Sequence, residues 1–378
     1  MASPIAPHAA DAAPDETEPT GSGSAAAVPA EPKPPVSRAA AAGRAGANTT
    51  TPRFYVSDST DPYENIATEE ALVDAVLPDE CILFLWQNEN TIVIGRNQNP
   101  WKECRIAEFE ADGGRIARRL SGGGAVFHDI GNLNFTFVAR DGVYDVARHL
   151  DIMCGAVRSF DLGARVSGRN DATVDGAKFS GNAFFRSGSK RCHHGTLMID
   201  VDMGKLARYL QPDPKKLAAK GVDSVRSRVV NLAALNTRIT VETLSIALIE
   251  ALSESFGSAA QPLDADRFDP ADVARRRERF ASDAWRLGHT APFTHALDER
   301  FAWGNLDVEV LVEKGAVANA RIFSDAIDAE YIGRLGEALI GCPYEFSAIE
   351  RHLEALEAET DAQRAMRADC IALFRSSF

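Results

Sequence analysis

Apolar runs of strand length come in neighbouring groups along this chain, with amphipathic helices between the groups, and that order limits the folds open to it. Ile82–Trp86 and Thr91–Ile94, separated by Gln87-Asn-Glu-Asn90, read as a strand pair joined by a polar turn. Arg115–Leu120 and Asn134–Val138 read as two more strands around a glycine-rich loop, and Phe179–Phe185 and Gly195–Val201 as a further pair. Val146, Leu150, Met153, Val157 and Phe160 recur at the spacing of one helix face, with Gly163 as a stop. Leu244, Leu248, Leu252 and Phe256 do the same between Thr240, a suitable N-cap, and Gly257. Strands that pair locally predict an α+β fold with a mixed or antiparallel sheet, and disfavour regular βαβ winding.

Residues 1–50 carry no such pattern. They are rich in Ala, Pro, Ser and Gly, and predict a disordered, low-complexity tail that cannot bury enough surface to offset its ordering entropy. Asp11, Asp15, Glu16, Glu18 and Glu31 make it too acidic for an organelle transit peptide. Beyond it, residues 51–289 are expected to form the main domain and 293–378 a smaller one. A formal charge of −13 disfavours non-specific binding to nucleic acid or an anionic membrane, and the apolar run Cys81–Trp86 is far too short to span one. Six scattered cysteines without a C-x-x-C pair suit a reducing cytoplasm.

Arg118-Arg-Leu-Ser-Gly-Gly-Gly-Ala-Val-Phe-His-Asp129 is the most informative stretch. Consecutive glycines cost conformational entropy, so they imply close backbone approach, and two arginines supply charge for an anion. No Gly-Lys-Ser/Thr follows, so the loop is not a P-loop of the Walker type. A second constellation is Gly168-Arg-Asn-Asp171, Lys178-Phe-Ser-Gly-Asn-Ala183 and His193-His-Gly-Thr196. Lys178 offers a compact positive charge to phosphate or carboxylate oxygens. His193 and His194 point to opposite faces of a strand and cannot share one metal ion, and His128 reads as a hydrogen-bonded structural residue. Lys215, Lys216, Lys220, Arg226 and Arg228 form a basic tract, read mainly as a solvated helix face.

These segments, with Ile94-Gly-Arg-Asn-Gln-Asn-Pro-Trp-Lys-Glu-Cys104, 217–228 and Leu297-Asp-Glu-Arg-Phe-x-Trp303, closely resemble the lipoate-protein ligase A family from about Arg53 to the end. The resemblance implies a catalytic domain with the biotin/lipoate ligase fold and a small α+β accessory domain. It implies an ATP-dependent ligase that forms lipoyl-AMP and transfers the lipoyl group to a lysine. It also implies ATP contacts by Arg119, by Gly124, Ala125, Val126 and Phe127, and by Lys178, which contacts the lipoyl carboxyl as well. Mg²⁺ would accompany ATP, with Asn170 and Asp171 as candidate ligands, and Val126 and Phe127 are candidates for an apolar slot. Acceptors would be lipoyl domains of 2-oxoacid dehydrogenase complexes or the glycine-cleavage carrier protein. Two departures are Leu120, where relatives can carry a small polar residue, and a short connection from Asp171 to Lys178. The rival reading is an ATP-independent octanoyl or lipoyl transferase working through a Cys thioester, for which Cys192 is the candidate.

Because nothing in the composition of the tail supports packing, deleting residues 1–48 is expected to leave melting temperature and ligation nearly unchanged. A large loss of either, measured by calorimetry and by acceptor mass shift, would contradict the reading of the tail.

Overall fold

The computed structural model describes residues 50–168, 171–210, 229–264, 266–288 and 293–378. The strands are β1 (Thr51–Val56), β2 (Glu80–Trp86), β3 (Thr91–Ile94), β4 (Arg115–Arg118), β5 (Val126–His128), β6 (Asn132–Arg140) and β7 (Arg165–Ser167). They continue as β8 (Asp171–Val174), β9 (Ala177–Ser187), β10 (Lys190–Met198), β11 (Gln261–Pro262), β12 (His295–Phe301), β13 (Gly304–Glu313) and β14 (Ala316–Phe323).

Strand β2 is buried at every position and β6 at all but its last, so both need cover on two faces. They sit at the middle of an eight-stranded sheet ordered β11-β1-β2-β6-β10-β9-β8-β7. Strand β1 runs parallel to both its neighbours and every other pairing is antiparallel, which is the mixed sheet that the α+β pattern predicts. On one face, Met153 of helix Val146–Arg158 and Leu244 and Leu248 of helix Val241–Phe256 pack with Leu83, Phe135 and Phe137. On the other, Ile66 and Leu72 of helix Pro62–Ala75 pack with Ile82, Phe84 and Val138. Both periodic helices stand where their apolar spacing predicts, and Thr240 caps Val241–Phe256 by accepting from the Thr243 amide.

The first expected strand pair does not form. Strand β2 joins the large sheet, whereas β3 lies in a separate three-stranded sheet between β4, parallel, and β5, antiparallel. All four residues of β3 are buried, so its sequence shows no exposed face from which to read a partner. The third member of that sheet, β5, arises within the stretch read as a loop. The expected β-hairpin forms as β9 and β10, but its second strand starts earlier than Gly195–Val201: Lys190–Gly195 pairs with Asn182–Ser187, with Asn182 opposite Gly195.

Residues 295–323 form a three-stranded antiparallel sheet that shares its own core with helices Ala329–Leu339, Phe346–Glu354 and Asp361–Arg375, through Leu306, Val308, Val310, Ile332, Leu335 and Phe374. Polar contacts tie it to the rest. Asn97 Nδ2 donates to Ala329 O at 2.6 Å, the Ser324 amide donates to Asn97 O at 2.9 Å, and Lys102 pairs with the buried Asp307. Most of the expected boundary, residues 289–292, lies outside the described residues. Among the described residues no helix is long and apolar enough to cross a membrane.

Three histidines lie inside this fold with their charged forms suppressed. Burial holds His128 and His149 at a pKa of about 3 and His193 well below the ordinary 6.5. Since the unfolded chain takes up these protons first, the stabilisation is complete above pH 6.5 and drains away as pH falls from 6.5 toward 3. Each such imidazole contributes about 1.4 kcal/mol of lost stability per pH unit in that window. His149, stacked on Phe137 at 4.4 Å, is the cleanest test. His149→Leu should flatten the decline of urea-unfolding free energy between pH 6 and 4, by roughly 1.4 kcal/mol per unit; an unchanged slope would show that His149 charges readily in the native state.

Candidate active site

A cavity of about 310 Å³ opens where helix Pro62–Ala75, the β4–β5 loop and strands β2, β3, β6, β8, β9 and β10 converge. Ile66, Trp86, Val93 and Val126 give it an apolar wall, and Asp171, Lys178 and Thr196 contribute polar groups. It therefore brings together the glycine loop and the second constellation, which are separated by about fifty residues of sequence.

Local chemistry explains how each part is placed. Asp175 (φ 51) and Gly176 (φ 83) form a two-residue turn between the β8 and β9 partners Val174 and Ala177. This tight hairpin is the short connection noticed in the sequence. It sets Lys178 opposite Thr173, and the Lys178 ammonium reaches Asp171 Oδ1 at 2.6 Å, both side chains remaining partly exposed. Asn170, the other candidate metal ligand, lies outside the described residues, as do Lys215, Lys216, Lys220, Arg226 and Arg228.

In the glycine loop, Gly123 has φ +90, and a Cβ there would lie 2.9 Å from the Arg119 guanidinium. A Cβ on Gly122 would lie 2.1 Å from Ala326 O, so the polypeptide itself demands two of the three glycines, and the Gly123 amide donates to Ala326 O at 3.1 Å. Gly124, Ala125 and Val126 line the cavity. Arg119 also lines it, yet its donors go to Ser121 Oγ and to the carbonyls of Val93, Gly122 and Gly124. Burial lowers its pKa to about 10, which leaves it charged at neutral pH. Arg118 is likewise turned to carbonyls, those of Gly95, Arg96, Gln98, Trp285 and Arg286. The arginine pair thus organises loop backbone.

Val126 faces the cavity as expected, but Phe127 does not share the slot. Neighbours on a strand point to opposite faces, and the Phe127 ring packs against Phe109 in the core beneath the small sheet. The same alternation splits His193, bonded to Asn182 Oδ1, from His194, which lines the cavity. His194 Nδ1 lies 2.7 Å from Glu69 Oε1 and its Nε2 lies 2.6 Å from Ser121 Oγ, so both ring nitrogens are engaged. Glu69, Cys192 and His194 stand close enough to suggest a metal cluster, but those two contacts leave His194 no lone pair for an ion. Cys192 is fully buried and burial, with Glu69 nearby, pushes its thiol well up, the opposite of an activated nucleophile. All six cysteines are buried, which disfavours the thioester rival.

Glu69, Trp86 and Asn134 were not singled out as site residues in the sequence, and Asn182 only within the Lys178–Ala183 stretch. For Glu69 and Asn134, which line the cavity, the signal is structural: Glu69 Oε2 and Asn134 Nδ2, like His128 Nε2, are buried without a hydrogen-bond partner among the described residues. Leaving such atoms unpaired costs about 1–3 kcal/mol each, so a ligand that pairs them recovers it. His128 is hydrogen-bonded as expected: Asn88 Nδ2 donates to its Nδ1, so the neutral ring carries its N–H at Nε2.

Because the loop conformation depends on Gly123, Gly123→Val should weaken ATP binding at least tenfold in isothermal titration, a β-branched residue being strained at positive φ. Unchanged affinity in a folded variant would show that the loop only makes a turn.

The chain matches two family descriptions, the lipoyl protein ligase A/B catalytic domain over residues 61–253 and the bacterial lipoate protein ligase C-terminus over residues 290–374. It is 42% identical, over 80% of its length and 92% of the relative's, to lipoate-protein ligase A of Psychrobacter cryohalolentis. Its fold is similar to the crystal structure of P. falciparum LipL1 in complex with lipoate, with a TM-score of 0.74, 28% identity and coverage of 85% of this chain and 99% of that one. A crystal structure of lipoate-protein ligase A bound with ATP shares the fold at a TM-score of 0.55 and 21% identity, over 63% and 99% of the two chains. The chain belongs to the lipoate-protein ligase A family and is a lipoate-protein ligase.

Proposed function

We propose that the cavity bounded by the glycine loop and the β8–β9 hairpin carries out both half-reactions, with Lys178 as the catalytic cation. In the first, the lipoate carboxylate attacks the α-phosphorus of ATP and pyrophosphate leaves, giving lipoyl-AMP. In the second, the neutral amine of an acceptor lysine attacks the mixed anhydride, AMP departs and an amide remains. Neither step needs a protein nucleophile, in keeping with the buried cysteines.

The observation that carries this reading is the Lys178 ammonium at the rim of a cavity whose other wall is apolar. A positive charge there stabilises oxygens whose negative charge redistributes in the transition state. Ile66, Trp86, Val93 and Val126 suit an apolar acyl chain and dithiolane ring. Gly124, Ala125 and Val126 form the wall along which the nucleotide lies, while Arg119 acts by holding the Gly122 and Gly124 carbonyls. The backbone at Phe127 continues that wall, its side chain turned away.

Mg²⁺ prefers carboxylate oxygens together with substrate phosphates. The Asp171 carboxylate, partly exposed beside Lys178, fits that chemistry, and Mg²⁺ bound there would neutralise charge on the pyrophosphate leaving group. The acceptor in this reading is a lipoyl domain of a 2-oxoacid dehydrogenase complex or the glycine-cleavage carrier protein, met in the cytoplasm. Residues 51–289 act as the catalytic domain and 293–378 as the accessory one.

Lys178→Ala tests the assignment. Loss of one preorganised cation should slow pyrophosphate release with lipoate and ATP on the order of 10²–10³-fold, with the fold retained. Preformed lipoyl-AMP should restore part of the transfer, since it bypasses adenylation. Near-normal pyrophosphate release would remove Lys178 from the mechanism.

A further inference from the structure

Ser121 is fully buried and does not line the cavity, so its hydroxyl is not placed to touch a ligand. It is nevertheless anchored through both its side chain and its backbone. Its Oγ meets His194 Nε2 at 2.6 Å and accepts from Arg119 Nε at 3.1 Å, and its carbonyl accepts from the Arg96 amide at 2.8 Å. His194 Nδ1 meets Glu69 Oε1, which also accepts from Thr136 Oγ1 at 2.7 Å, and Thr136 accepts from Trp86 Nε1 at 3.0 Å. A continuous buried chain therefore runs from the central strands β2 and β6 through helix Pro62–Ala75 and β10 to the loop.

The order of donors is dictated by chemistry. A carboxylate only accepts, so Glu69 fixes a proton on Nδ1 and leaves Nε2 to the Ser121 hydroxyl. Burying a carboxylate is costly unless it is hydrogen-bonded, and Thr136 and His194, which bond Glu69, both belong to this network. From these contacts we infer that Glu69 and His194 are positioning residues for adenylation, acting through Ser121 to hold Gly122–Gly124 in the shape that receives the nucleotide. The inference rests on the reading of the glycine loop as the nucleotide wall. Hydrogen-bonded pairs of this kind act on geometry, so their loss should appear in the interaction with ATP more than with lipoate.

Full-length enzyme should be assayed for pyrophosphate release while ATP and lipoate are varied separately, in Ser121→Ala, His194→Leu, His194→Gln and the double variant Ser121→Ala/His194→Leu. Each single removal should raise the KM for ATP on the order of tenfold, with a smaller change for lipoate. The double variant should be no worse than His194→Leu, because the two side chains act through one bond. His194→Gln, whose side-chain carbonyl can approach the Nε2 position, should recover much of the loss. Multiplicative effects in the double variant, or an unchanged KM for ATP in Ser121→Ala, would overturn the inference. Should His194→Leu fail to fold, Ser121→Ala, which deletes one oxygen, and His194→Gln still decide it by the KM for ATP. Gly123→Val separates the two readings: weakened ATP binding there with no effect in Ser121→Ala defeats only the positioning role, whereas no effect in either defeats the nucleotide wall.

Discussion

Strand β10 is the constraint on which the site depends. It is hydrogen-bonded along both edges, to β6 and β9, so its register cannot slip without breaking two ladders. The alternation of side chains then leaves no freedom: Cys192 and His194 face helix Pro62–Ala75, and His193 faces the opposite core with Phe137, Phe184 and His149. Because Glu69 projects from that helix, the contact between its carboxylate and His194 locks helix to sheet at the cavity floor.

The glycine loop is held by tertiary contacts more than by its own conformation. Arg119 ties its carbonyls, Ser121 reaches across to His194, and Ala326 O accepts the Gly123 amide from the C-terminal part of the chain. Close backbone approach explains the run of glycines, but the partner at Gly122 is protein backbone. This also gives the C-terminal sheet a direct physical link to the site, through a peptide carbonyl that occupies a loop N–H.

Electrostatically, the cavity combines the neutral His128, a buried carboxylate and a partly exposed Lys178–Asp171 pair. The Lys178 charge remains in contact with solvent and available to an incoming anion, while burial withholds charge from His128 and thiolate character from Cys192. That division suits charge stabilisation by a cation and gives no support to nucleophilic catalysis by sulfur.

The sequence by itself determined the α+β class and the two amphipathic helices, and it drew attention to the glycine loop and to Lys178, which the fold brings to one cavity. These follow from local periodicity, caps and glycine chemistry, which act over a few residues. Only the tertiary structure decided that β2 and β3 enter different sheets, because strands buried on both faces carry no pattern that names a partner. It also decided that Phe127 turns away from Val126 and that Arg119 serves the loop. Glu69 and Asn134, and the partners of Ser121 within its quoted stretch, were invisible for the same reason: a polar residue takes its role from a partner far along the chain, 125 positions in the case of Glu69 and His194, and no local spacing encodes that distance.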